Sequence, residues 1–412
     1  MMRLWCKRGR ISGKRLLWYV FVVAFLIIVY RVIQENAGDI ERQWTCEELH
    51  AKDRLIQLCQ DFNRGITGGN LCKDLCDSHE LDIQDCLAHK NTTIVFSGTW
   101  RDHDIVFKTK REPHHFEDLT ALIDAGHGDN DDGITTGDDQ GGIQELFTSH
   151  VFEHVVNELS LFQMKDLMKP KRVLEKLWYP HPMGKLTWAD MSSLWLLIQR
   201  DEFIKLQLLQ SMKHIPQVYG FCGRFYAVEK VQALEELTFT PFRKPMPWKK
   251  RLKIALDFLS LEKEFSNTSL GTLHHCDIQP GNFGITKDMR VVALDIDTVF
   301  PTRQMKDFLE QPTCESNKQC DFFDCVSSCN QTVHQCSRNI LTNNLQVICR
   351  DILVSRWEQP GLLKRAPVHI QNKLSPLLSE CASEKMLPWE QSKRKRIHKR
   401  LKKILSEELW SK

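Results

Sequence analysis

One cysteine, Cys6, precedes an unbroken apolar or aromatic run from Leu16 to Tyr30, and fourteen follow it. That asymmetry limits the fold more than any other feature of the chain. Arg3, Lys7, Arg8, Arg10, Lys14 and Arg15 stand before the run, and the first acidic residue, Glu35, stands after it. Extended through Val32 and Ile33 the run reaches about 18 residues, enough to span a bilayer if Arg31 snorkels to the interface. It is longer than the roughly 7–15 residues of a cleaved signal's apolar core, and no small-x-small site follows Tyr30, so an uncleaved anchor is expected. The cationic flank is then cytoplasmic and the rest is translocated, a single-pass type II topology. An even number of luminal cysteines suits pairing in an oxidising compartment, with the connectivity open. Acceptor tripeptides for glycosylation at Asn91, Asn267 and Asn330 fall on the same side.

Hydrophobic residues at 42%, charged residues at 26% and a net charge of +3 are ordinary for a globular chain and point to no nucleic-acid partner. Cys46, Cys59, Cys72, Cys76 and Cys86 form a first cysteine-rich segment, and Cys314 to Cys336 a second. Cys72 and Cys76 have the spacing of half a zinc site, but no second tight pair with histidines lies nearby, so disulfides are the expectation. Thr92–Phe96 and Asp104–Lys108, separated by Ser97-Gly98-Thr99, read as a hairpin. The glycine- and aspartate-rich stretch 124–142 reads as a loop, since its Asp129, Asp131, Asp132, Asp138 and Asp139 lack calcium-loop spacing. Helical periodicity covers 143–164, 191–212 and 249–265, with strands at 218–221 and 225–231 around Cys222-Gly223. The last stretch, 375–412, reads as helical and basic, with Ile397, Leu401, Ile404 and Leu405 on one face, suited to a solvated or packed helix.

Phosphoryl transfer needs a carboxylate beside the acceptor hydroxyl, a carboxylate and a carboxamide on a divalent ion, and a lysine on the nucleotide phosphates. His275-Cys276-Asp277-Ile278-Gln279-Pro280-Gly281-Asn282 fits the histidine, aspartate and asparagine positions of a kinase catalytic loop. Asp295, at the end of the apolar strand Val291–Leu294, falls where the metal-binding aspartate belongs. Asp277 is therefore the candidate catalytic residue, with Asn282 and Asp295 as metal ligands. Ile105-Val106-Phe107-Lys108 suits the strand that presents the phosphate-binding lysine. Glu202 is the candidate partner of Lys108 on the following helix, with Glu153 and Glu158 as alternatives. Ala227-Val228-Glu229 would form the hinge against adenine. The implied cofactors are ATP and Mg²⁺ or Mn²⁺.

These residues, with Leu273 to Phe283, Cys320-Asp321-Phe322-Phe323-Asp324-Cys325 and Asn343 to Cys349, resemble the divergent protein kinase domain 1 family, cysteine-rich type II proteins of the endoplasmic reticulum. The resemblance implies an α+β, divergent two-lobed protein-kinase-like fold behind one transmembrane helix, an EF-hand-like insertion in the smaller lobe, and reticulum retention. The expected organisation is a cytoplasmic tail at 1–15, an anchor at 16–33, a luminal cysteine-rich segment at 34–88, a smaller lobe at 89–231 and a larger lobe at 232–412 with a cysteine-rich insertion at 314–336. The insertion aligns near Tyr179–Asp190, where only Gly184, Leu186 and the terminal Asp190 remain of a calcium loop, too few oxygen ligands for Ca²⁺.

Other positions depart from an active kinase. Gly98 stands alone where three glycines would let backbone reach the phosphates. Cys276 replaces an arginine, Gln279 a lysine that neutralises the phosphoryl group, and Asp297 a glycine; no Ala-Pro-Glu follows. Two functions therefore stay open: a luminal phosphotransferase with an unidentified acceptor, and a pseudokinase that uses the same cleft for a nucleotide or a partner.

Overall fold

The computed structural model describes residues 48–411 apart from 91–92, 111–118, 121–139, 163–167, 181–183, 239–245, 311–312, 355–360 and 384–390. The apolar run 16–33, Cys46, Asn91, most of the 124–142 stretch and His181 lie outside the described residues. Among the described residues no helix is long and apolar enough to cross a membrane.

Two helices, α1 (Glu48–Asn63) and α2 (Cys72–Cys76), precede a five-stranded antiparallel sheet of order β1-β2-β3-β5-β4. Its strands are β1 (Leu81–Lys90), β2 (Thr93–Trp100), β3 (His103–Lys110), β4 (Val218–Cys222) and β5 (Phe225–Glu229). Side chains alternate across a pleated strand, and this sheet uses both faces. Ile94 and Phe96, Ile105 and Phe107, and Phe225 and Ala227 pack with Leu58, Leu71, Cys72 and Leu75 of the cysteine-rich segment into one core. Val95, Val106, Lys108 and Val228, one residue out of phase, line a cavity on the opposite face. The cysteine-rich segment thus forms the back of the sheet. The disulfide Cys72–Cys222 fixes it to β4 and Cys59–Cys76 joins α1 to α2, so both sulfurs of the Cys72/Cys76 pair are in disulfides, as expected.

The hairpin of β2 and β3 forms, but its turn is not at Ser97-Gly98-Thr99. Arg101 and Asp102 make it with φ of 44° and 67°, and residues 97–99 are interior to β2. A Cβ on Gly98 would lie 2.5 Å from the Asp82 carbonyl oxygen. Gly98 therefore permits the close approach of β1 and does not make the turn expected at 97–99.

Between β3 and β4 lie α3 (Gln140–Glu158), α4 (Pro170–Trp178), α5 (Trp188–Ile198) and α6 (Asp201–Leu208). The periodic stretch 191–212 is two helices, broken where Arg200 is extended at φ −122° and ψ 116°. Asp201 and Glu202 then open α6, where acidic side chains favour a helix start. Asp190, the acid that the resemblance set at the end of an EF-hand-like insertion, completes a capping box with Thr187 at the start of α5. Its Oδ2 accepts hydrogen bonds from Thr187 N at 3.0 Å and Oγ1 at 2.7 Å.

The larger lobe begins with β6 (Gln232–Ala233), α7 (Leu234–Thr238) and α8 (Trp248–Phe265), then β7 (Leu273–His275), β8 (Phe283–Ile285), β9 (Val291–Ala293), β10 (Val299–Pro301) and α9 (Thr302–Leu309). Strands β6, β8 and β9 form one small sheet, and β7 pairs with β10. The second cysteine cluster carries β11 (Asp321–Phe322) and β12 (Cys325–Val326) and is closed by Cys314–Cys329 and Cys320–Cys336. Next come α10 (Asn344–Val347), α11 (Val368–Cys381) and α12 (Gln391–Trp410), with Cys349–Cys381 behind them. The basic helix α12 buries Ile397, Leu401 and Leu405, and His398 Nε2 lies 2.8 Å from the Leu259 carbonyl of α8, so it is a packed element of the lobe. One apolar core runs from α3–α6 through α8 to α12 and unites the two lobes.

Candidate active site

Lys108 stands opposite Val95 on β2 and Tyr226 on β5, which aims it at the helical layer beneath the sheet. Its Nζ lies 2.5 Å from Glu202 Oε1 on α6, the partner expected ahead of Glu153 and Glu158. Tyr226 Oη donates to Glu202 Oε2 at 2.8 Å, and its ring centre is 5.5 Å from Lys108 Nζ. Burial, then the Glu202 charge, raises the Tyr226 phenol well above its ordinary range, so it stays a donor. The sequence reading missed Tyr226; its register opposite the lysine was the available signal.

The catalytic-loop segment follows β7. Asn282 Nδ2 donates to the Asp277 carbonyl at 2.9 Å and to Asp277 Oδ2 at 2.7 Å, and Gln279 Nε2 donates to the same Oδ2 at 3.0 Å. Both amide contacts of Asn282 thus go to Asp277, and its Oδ1 is the atom that can meet a cation. Phe283 pairs with Ala293, and Leu294 N donates to Asn282 O at 2.9 Å, so the hairpin register brings Asp295 beside this loop. Asp295 Oδ1 accepts from Asp297 N at 3.2 Å. A carboxylate and a carboxamide oxygen are hard donors of the kind Mg²⁺ and Mn²⁺ take. The donor set fits a nucleotide-bound divalent ion.

Burial, followed by the nearby Lys205 charge, pushes His275 down to about 3. The ring is neutral, and its Nδ1 accepts from Asp277 N at 3.3 Å. Asn344 clamps the same strand, accepting from His275 N at 3.0 Å and donating to the Leu273 carbonyl at 2.8 Å. Asn343 caps α10 beside it through Gln346 N. Neither clamp is evident from spacing, although both lie in the string that carried the family resemblance.

Cys276, which stands where kinases carry arginine, is disulfide-bonded to Cys325 of the second cluster. Asp324 N donates to the Cys276 carbonyl at 2.7 Å, and Asp324 Oδ2 accepts from Ile278 N at 2.8 Å. Arg350 then pairs with both Asp324 and Asp351. The position that carries arginine in kinases is held here by a covalent bond and by the half-buried Asp324 carboxylate. Cys314, Cys320 and Cys329 also converge, but all three sulfurs are in disulfides.

A cavity of about 1100 Å³ opens between the lobes, lined by Val95, Val106, Lys108, Val228, Ile285 and Leu294 among others. Leu294 immediately precedes Asp295. Glu229 ends β5 at its rim: its N–H donates to the Gln217 carbonyl at 2.8 Å and its carboxylate pairs with Arg290 at 2.5 Å. These contacts tie the end of β5 to the edge of β9, and the next N–H, of Lys230, donates to the Asp104 carbonyl at 3.1 Å, so neither the Glu229 nor the Lys230 N–H is left for the adenine contact expected of the hinge. A second cavity, about 740 Å³, lies beyond the Glu229–Arg290 pair, lined by Arg172, Lys176 and Gln210. Only the first is lined by Lys108, and it is the candidate nucleotide site.

Two family models match the chain. One, described as N-term cysteine-rich ER, FAM69, covers residues 9–170, and one described as the protein-kinase domain of FAM69 covers residues 194–384. A curated relative, protein O-mannose kinase of Xenopus laevis, is 27% identical over 131 residues, which are 28% of this chain and 36% of that protein. The α+β lobes, the Lys108–Glu202 pair and the cysteine-rich back of the sheet agree with these matches, and the chain belongs to the FAM69 family, a divergent kinase family of cysteine-rich endoplasmic-reticulum proteins.

Proposed function

We propose that this chain is a phosphotransferase of the secretory pathway that uses ATP with Mg²⁺ or Mn²⁺, anchored by the segment 16–33 with its bulk in the lumen of the endoplasmic reticulum. Asp277 orients the acceptor hydroxyl and accepts its proton, Asn282 and Asp295 hold the metal, and Lys108, held by Glu202, meets the phosphates. Adenine packs between Val95, Val106, Val228 and Leu294. The name of the aligned relative suggests a sugar hydroxyl as the class of acceptor. The exposed Asn267 and Asn330 are accessible to glycosylation in that compartment.

What supports this reading most is the 2.5 Å contact of Lys108 Nζ with Glu202, which holds a paired lysine in a cavity whose lining also includes Leu294, the residue before Asp295. A nucleotide-binding pseudokinase is favoured by a different observation, the neutral Gln279 amide 3.0 Å from Asp277 Oδ2 where a lysine would neutralise the phosphoryl group. Purified full chain decides between them. Phosphotransfer from γ-³²P-ATP to a panel of mannosides, other glycosides and peptides, lost in Asp277→Ala, is the expected result. Metal-dependent nucleotide binding with no transfer to any acceptor and no ATP hydrolysis would leave the pseudokinase; absence of binding would remove both.

A further inference from the structure

Helix α6 is buried from Glu202 through Leu208, and it carries two charges inside the protein. Glu202 serves the sheet. Lys205, three residues on and 1% exposed, serves the other side. Its Nζ lies 2.6 Å from Asp201 Oδ2, 3.1 Å from the Asp297 carbonyl and 3.4 Å from the Ile296 carbonyl, with the Phe300 ring centre at 4.4 Å. An ammonium has three hydrogens to give, and a carboxylate and two carbonyls take all three. A buried lysine is retained only when so compensated. The two carbonyls belong to the residues that follow Asp295, and Asp297 in turn donates its N–H to Asp295 Oδ1 at 3.2 Å.

We propose that Lys205 is a positioning residue that fixes the backbone after Asp295 to the helix bearing Glu202, so that the metal site and the phosphate-binding lysine assemble as one unit. The inference rests on the phosphotransfer reading and names a residue through which that site is held. In most kinases a glycine after the metal aspartate gives the loop freedom to move. Here Asp297 stands at that position, and a buried cation pins its carbonyl. Any displacement of α6 breaks the Glu202 contact and the Lys205 contacts together.

The experiment uses the full chain with Mn²⁺ and ADP. Free Mn²⁺ is read by electron paramagnetic resonance, ADP affinity is measured separately in EDTA, and the melting midpoint without ligand reports folding. Lys205→Met should weaken Mn²⁺ binding in the presence of ADP by about tenfold or more, as removal of a residue supporting a metal ligand does, and leave metal-free ADP affinity within about twofold. Because the half-buried Asp201 loses this partner in that variant, Asp201→Asn with Lys205→Met removes both charges of the pair together. It should melt near the wild type and still bind Mn²⁺ weakly. Wild-type Mn²⁺ affinity in this double variant would overturn the proposal, because Lys205 would then only balance Asp201. No Mn²⁺ binding by the wild-type chain would instead overturn the metal site itself, and Asp295→Asn supplies the signal expected in that case.

Discussion

The two cysteine-rich regions use the same bond for different ends. At the back of the small-lobe sheet, Cys72–Cys222 closes 150 residues and lies in an apolar core with Leu71, Phe96, Phe107 and Phe225, on the face away from Lys108. In the larger lobe, Cys276–Cys325 closes 49 residues and is one residue from Asp277, with Asp324 hydrogen-bonded to Cys276 and Ile278 on either side of it. The first holds an accessory segment to a sheet that alternation has already organised. The second sets the position of a loop whose own pairing is a three-residue strand. A staple's consequence therefore depends on what else restrains the atoms beside it, more than on the length of chain it closes.

That contrast can be broken by experiment. In the chain-entropy account, loops of this size contribute about 5 kcal/mol for Cys72–Cys222 and about 4 kcal/mol for Cys276–Cys325. Cys72→Ser with Cys222→Ser should give the larger loss in chemical denaturation, yet leave Mn²⁺–ADP affinity in the folded fraction near the wild-type value. Cys276→Ser with Cys325→Ser should lower stability slightly less and reduce phosphotransfer by about 100-fold, the scale of misplacing a catalytic group, with ADP affinity kept. Equal transfer in the two double variants would mean that the second bond is only another staple. Glu202→Ala should cost about 3 kcal/mol, because Lys108 and Tyr226 stay in place with their shared carboxylate removed. That loss should appear in the melting midpoint and, unlike the loss at Cys72–Cys222, be accompanied by weaker nucleotide binding.

Much of the fold was legible because its signals are local. The catalytic-loop spacing, the alternation around Lys108 and the Cys222-Gly223 turn, where Gly223 takes φ +55°, each depend on residues close in sequence. Glu202 was chosen from three glutamates by its place on a helix before β4, and it is the one paired with Lys108. The 97–99 turn was misplaced because glycine signals turns and close backbone approach alike, and Gly98 serves the second. The helix break at Arg200 was missed because apolar periodicity continues through it. No role was read for Asn344, Asp324 or Tyr226, since they act on residues 69, 46 and 24 positions away; the first two entered only as letters of the family strings, and only Tyr226, in register with Lys108, left a local signal. Cys276 was seen as a lost charge, while its bond to Cys325 depends on a hairpin that only the fold brings near.

The junction between the stapled regions is held differently, by groups that titrate. His214, buried between α6 and β4, has Nδ1 2.5 Å from Glu264 and Nε2 3.3 Å from Asp257, both on α8. Lys213 pairs with Asp257 at 2.5 Å, and Ala293 N donates to the His214 carbonyl at 2.9 Å. Burial disfavours the imidazolium, but the hydrogen bonds to Asp257 and Glu264 outweigh it and raise His214 above its ordinary value. Asp257 is lowered to about 2 and Glu264 is lowered as well; burial opposes both, and His214 is the chief cause that overcomes it. A raised histidine contributes its stability fully below its unfolded pKa of about 6.5 and loses it as the pH climbs through the folded value. The two carboxylates contribute above their unfolded values of about 4 and lose it only in acid. Stability should therefore be greatest in weakly acidic solution and decline on the alkaline side, a smaller effect than any of the substitutions above. In His214→Gln the decline above about pH 6.5 should disappear, while the two disulfide variants, which leave this junction intact, should keep it. Melting midpoints across pH 5–9 for the wild type and the three variants measure this, and an unchanged alkaline slope in His214→Gln would assign the junction's strength to packing rather than to charge.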